Sequence, residues 1–225
     1  MSIDFNEYGY KKVAPGDYFS FTCSRCGDCC RNVKDSVMVE RLDLYRLTRF
    51  LGMGISEVVL QYTDTTFLAW DFPVLTLKTK PHMGACIFLK SSKCRVHGGA
   101  KPRACRTYPI GVGPDDVHPG EWLSFIVSKK PHHFTGPRRL VGDWIDETFT
   151  TEDRAFVAAD YAYTGELAEI TRNIDKQYEH EVLSLMIYFK YMNYDLSADF
   201  MPQYNRNMEE LKCHLRRFGR RAYSA

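Results

Sequence analysis

The chain has 225 residues, 44% of them hydrophobic and 26% charged, with a formal net charge of +2. That is the make-up of an ordinary globular protein, and it offers neither the broad cationic surface that nucleic-acid phosphates require nor a reason to expect a membrane. The N-terminus lacks the basic and apolar regions of a secretory signal, and the apolar run at 182–192 is short and interrupted by Lys190. A cytoplasmic, reducing compartment is therefore expected, where clustered cysteines serve metals more often than disulfides.

In chain order, residues 1–20 read as an irregular, partly extended lead-in. A cysteine-rich loop broken by Gly27 follows. Leu42, Leu44, Tyr45, Leu47 and Leu51 form an approximate helical stripe within 37–51, ended by Gly52 and Gly54. Ser56 is placed to cap a second short helix running to Tyr62. Residues 67–70, 74–80 and 122–127 read as extended, and glycines and prolines make 84–113 loop-rich.

From about Asp143 the pattern turns helical. Thr150 or Thr151 can cap a helix with Glu152 and Asp153 in its first turn. A further helix is expected over 176–191. A last one carries Tyr204, Met208, Leu211, Leu215 and Phe218 on one face. Arg216, Arg217, Arg220 and Arg221 near its end read as a solvated, dipole-complementing terminus, or as a surface for an acidic partner. The expected fold is α+β: an irregular cysteine-rich metal-binding core with short strands over 1–145, and a mainly helical region over 146–225 packed on it as one unit.

Seven of the eight cysteines fall in two groups: Cys23, Cys26, Cys29 and Cys30, then Cys86, Cys94 and Cys105. Soft thiolates so grouped select zinc or an iron–sulfur cluster. Cys23, Cys26 and Cys29 have the spacing that holds three corners of a four-iron, four-sulfur (4Fe-4S) cluster, whereas zinc commonly takes pairs from separate knuckles. Neighbouring side chains tend to diverge, so Cys29 and Cys30 need not serve one metal, and seven cysteines plus one further ligand allow two centres. His97, three residues after Cys94, and the adjacent His132 and His133 are further candidates. Arg25, Arg31, Arg95, Arg103 and Arg106 flank the cysteines, either offsetting thiolate charge or binding an anionic substrate. Cys213 stands apart and is expected to be free and dispensable. No nucleophilic triad or nucleotide loop is visible.

These motifs resemble a known family. Cys23-x-x-Cys26-Gly-x-Cys29-Cys30, Cys86-Ile-Phe-Leu, Cys94-Arg-Val-His97 and Lys101-Pro-Arg-Ala-Cys105-Arg-Thr-Tyr108-Pro109 are similar to the signature of the CxxCxxCC family of zinc- or iron-chelating proteins. The resemblance implies a metal centre held by these cysteines. Many relatives carry a further cysteine where this chain has Lys130 to Gly136, so His132 or His133 is a substitute ligand on this reading. More distantly the signature resembles flagellin lysine N-methylases. That would imply S-adenosylmethionine as cofactor, a protein substrate, and a pocket built from aromatics such as Tyr108, Trp122 and Trp144. A zinc module for nucleic acid is the third expectation.

Overall fold

The computed structural model describes residues 10–221 except 32, 34, 35, 68–71, 116, 117, 119 and 129, and without the side chains of Arg220 and Arg221. The expectations for 1–9, for most of the 67–70 segment and for the last two arginines lie outside the described residues. In chain order the elements are β1 Lys11–Val13, β2 Tyr18–Ser20, β3 Met38–Val39, α1 Arg41–Leu51, α2 Ile55–Tyr62, β4 Thr63–Phe67, β5 Pro73–Leu77, β6 Leu89–Lys90 and β7 Lys93–Cys94. They continue with α3 Arg103–Arg106, β8 Ile110–Pro114, β9 Trp122–Ile126, β10 Arg138–Leu140, α4 Val141–Thr148, α5 Thr151–Thr171, α6 Glu179–Ile187 and α7 Phe200–Arg221. This is an α+β mixture of small sheets with a helical C-terminal part.

All the sheets are antiparallel and small, in the orders β1-β9-β8, β3-β5-β4, β10-β2 and β6-β7. Two apolar cores fill the space between them. One joins Phe19 and Phe21 of the N-terminal half to Trp144, Phe156, Tyr204, Leu211 and Leu215. The other packs Val39, Leu44, Leu47, Leu75, Phe88 and Val96 around Cys30 and Cys86. Helix α1 serves both, sending Leu42 and Tyr45 to the first and Leu44 and Leu47 to the second.

Local differences from the expected elements have physical causes. Helix α1 begins only at Arg41, because Met38 and Val39 pair with Thr76 and Leu75 as strand instead. Gly54, not Ser56, is the N-cap of α2, and no side chain caps that helix. The expected helix over 176–191 is three pieces: a 3-10 turn Lys176–Tyr178, α6, and a π-helical turn Tyr188–Met192. Thr150 does cap α5, in a complete capping box with Asp153. Tyr204, Met208, Leu211 and Leu215 are fully buried along α7. Among the described residues no helix is long and apolar enough to cross a membrane.

Candidate metal centre

The cysteine loop is held by backbone pairing and by one glycine. Gly27 sits at φ 77°, and a Cβ there would lie 3.0 Å from the Ser92 carbonyl oxygen, so only glycine lets the loop close on its neighbour. Cys86 N–H donates to Cys30 O at 2.8 Å, and Val33 N–H to Gly84 O at 2.9 Å, which joins the first cysteine loop to the second. Cys94 is delivered by the β6–β7 hairpin, where Leu89 faces Cys94. The two residues of its turn, Ser91 and Ser92, both have positive φ (48° and 61°), the conformation that suits a two-residue hairpin but costs serine about 1–2 kcal/mol each. Arg31 spans the join, donating to Cys26 O at 2.9 Å, Asp28 at 2.6 Å and Ser92 Oγ at 2.9 Å.

Cys105 sits on α3, which is clamped from both sides. Arg103 makes two 2.7 Å bonds to Glu40, and its N–H donates to Asp43 at 2.9 Å. Arg106 makes two 2.8 Å bonds to Asp153, the same carboxylate that closes the α5 capping box. Burial alone would raise Asp153, but Arg106 and then Arg46 more than reverse it and hold the carboxyl well below its usual range. Arg31, Arg103 and Arg106 are thus paired with carboxylates and act as struts. The cation among the thiols is Lys101, which sequence reasoning passed over and whose charge reaches Cys29, Cys94 and Cys105.

Two chambers result, with Cys29, Lys101 and Tyr108 on the boundary of both. The inner one, about 210 Å³, is lined by Cys29, Cys30, Cys86, Cys94 and Cys105 against Leu77, Phe88 and Val96. The outer one, about 380 Å³, holds Cys23, Cys26, His97, His132 and His133 over an aromatic floor of Phe21, Tyr108 and Trp144. Trp122 instead packs on Phe149, ring centroids 4.9 Å apart. Cys213 is exposed on α7 and lines neither chamber.

In the inner chamber the neighbouring Cys29 and Cys30 converge rather than diverge, their sulfurs 3.9 Å apart. The Cys30 thiol also hydrogen-bonds to Cys94. Those bonds draw Cys29 and Cys94 down to about 6, against burial and with help from Lys101, while Cys30 as donor is pushed far up. Burial raises Cys86 and Cys105. Among the described residues the lining carries five thiols, the hydroxyls of Tyr10, Ser36 and Tyr108, one lysine and no carboxylate or imidazole, so full ionisation of the five thiols calls for a bound cation. The donor set fits a soft metal.

The outer chamber mixes donors. Cys23 Sγ lies 3.7 Å from His97 Nε2, and Cys26 Sγ 3.9 Å from His133 Nε2. His132 Nε2 meets the Asp28 carboxylate at 2.7 Å, the chief cause of Asp28 lying below its usual range. Burial, then the charges of His132 and Lys130, lower His133 and favour its neutral form. Asp28 went unremarked in the sequence, although a carboxylate between two of the clustered cysteines was the available signal.

Residues 22–124 match the family model CxxCxxCC, described as a "putative zinc- or iron-chelating domain". This stretch holds all seven clustered cysteines and ends before His132 and His133. No curated protein and no solved structure matches the chain.

Proposed function

Taking the zinc- or iron-chelating CxxCxxCC domain as premise, we propose that this protein is a metal-binding protein whose principal centre is the five-thiol inner chamber. Cys29, Cys30, Cys86, Cys94 and Cys105 are its ligand set, with Lys101 offsetting part of the thiolate charge. One observation carries the reading: five cysteines from four separated stretches line a single, partly enclosed chamber of about 210 Å³. Zinc and an iron–sulfur cluster share the thiolate chemistry, and each would supply the positive charge the ionised thiols need.

The test is elemental analysis and a visible spectrum of protein purified without oxygen. Iron with matching acid-labile sulfide and a brown colour assigns a cluster. Zinc without colour assigns a closed site. Metal-free protein refutes the reading.

A second reading, an S-adenosylmethionine-linked protein-lysine methylase, is supported by the outer chamber, which has room for a small molecule and an aromatic floor that includes Tyr108 and Trp144. A thermal shift on adding S-adenosylmethionine supports it, and no shift removes it.

A further inference from the structure

We infer that Cys26, Asp28, His132 and His133 form a second metal site, on the outer side of Cys29, that takes a divalent ion of the zinc class. One donor atom from each of the four lies within 4.8 Å of every other. A tetrahedral zinc ion, with bonds of 2.3 Å to sulfur and about 2.0–2.1 Å to nitrogen, sets those two ligands about 3.6 Å apart. Cys26 Sγ and His133 Nε2 stand 3.9 Å apart. A mixture of one sulfur, imidazole nitrogens and a carboxylate suits an ion of intermediate softness such as zinc.

The hydrogen bonds around His133 carry the inference further. Tyr108 Oη donates its proton to Ser128 Oγ at 2.5 Å. The same oxygen lies 2.5 Å from His133 Nδ1, and Ser128 Oγ lies 3.4 Å from it, so two hydroxyls flank Nδ1 and Nε2 is the ring nitrogen that faces Cys26. In the tautomer with its hydrogen on Nδ1, donated to Tyr108 Oη, the ring turns the Nε2 lone pair toward Cys26. This is the arrangement metal-bound imidazoles use, with the second nitrogen tied to an outer partner that fixes tautomer and ring orientation.

The segment is held in place independently of any ion. Lys130 Nζ donates to Asp28 O at 2.7 Å, clamping the histidine turn Pro131–His133 onto the cysteine loop. His133 is buried while Cys26 and His132 are exposed, so one ligand is anchored and the ion has a path from solvent. Tyr108 is thus a positioning residue for this site. The inference does not depend on the inner chamber holding a metal.

The experiment compares zinc content at saturation, and the affinity of the weakest-held equivalent by competition with a chromophoric chelator. The proteins are wild type, His133→Ala, Tyr108→Phe and Cys105→Ser, handled without oxygen. His133→Ala is expected to bind one zinc equivalent fewer than wild type. Tyr108→Phe, which keeps the ring packing on Phe21, is expected to keep that equivalent but hold it about 10–100-fold more weakly, the usual cost of losing an outer partner. Cys105→Ser is expected to retain it. Unchanged stoichiometry in His133→Ala with unchanged affinity in Tyr108→Phe would overturn the inference. So would loss of the same equivalent in both His133→Ala and Cys105→Ser, because one centre would then account for all the donors.

Discussion

At the scale of single residues, Cys30 is the pivot of the inner chamber. It is buried, its thiol bonds to both Cys29 and Cys94, and its carbonyl accepts from Cys86 N–H. Cys30→Ser replaces a soft donor with a hard one at that point, and we expect elemental analysis to show loss of the inner-chamber metal, with no more than the outer-site equivalent retained. Cys213→Ala is the control: its thiol is exposed on the last helix, and its metal content is expected to equal wild type. The clustered spacing of seven cysteines made their grouping legible from the chain alone, and all seven line one or other of the two chambers. Their division was not legible, because a side chain's direction depends on backbone it does not encode locally. Cys29 and Cys30 meet only because the loop folds over Gly27, and Cys94 joins them only through a hairpin turn at two serines. The role of Lys101 was hidden for the same reason.

At the scale of elements, the structure depends on a few buried charged junctions. Asp153 joins three of them: the α5 cap, Arg46 on α1 and Arg106 on α3. Thr150→Ala removes the two bonds its hydroxyl makes to Asp153 in the cap and should cost about 1 kcal/mol in denaturant unfolding. Asp153→Ala removes the cap and the carboxylate that Arg106 and Arg46 share, although Arg46 keeps Glu152, and should cost more, about 3 kcal/mol. Equal losses in the two variants would show that the arginine pairs contribute nothing. Thr150 was readable in advance from local chemistry, whereas its reach to Cys105 through Arg106 spans 47 residues to Asp153 and is a tertiary fact.

The π-helical turn carries another such group. Lys190 is only 3% exposed and lies over the Phe72 ring. Burial, then Arg41, lowers it to about 7, with Asp160 opposing. An unfolded lysine titrates near about 10.4. Between those values the unfolded chain holds a proton the native chain has lost, so this group's contribution to stability rises with pH. It is fully present above the unfolded value and is lost as pH falls through about 7. Lys190→Met should therefore flatten the rise in stability between pH 7 and 10 by roughly 3–4 kcal/mol and stabilise the protein at neutral pH. An unaltered slope would mean that Lys190 stays charged when folded. That this residue interrupts an apolar run was visible in the chain, but its burial against Arg41 and Asp160 was not.

At the scale of the whole molecule, the fold sets two chambers side by side, with Cys29, Lys101 and Tyr108 shared between them. Helix α1 and the arginine struts hold the inner chamber between two apolar cores, which gives the thiols a rigid, partly dry surround. A metal bound only by the native arrangement adds its binding free energy to folding. Treatment with a strong chelator is accordingly expected to lower the unfolding midpoint, and Cys105→Ser should already lie near the chelated value. The α+β mixture and the amphipathic last helix could be anticipated from composition and periodicity. The residues through which the two halves touch, such as Phe21 with Trp144, could not, because their contacts are long-range.

X-ray absorption at the metal edge of protein purified without oxygen tests the central claim most directly, since it counts the atoms bound to the metal. The account predicts a first shell dominated by sulfur at about 2.3 Å, and in His133→Ala a shell of sulfur alone. A shell of nitrogen and oxygen only would place the metal outside the five-thiol chamber and contradict the account.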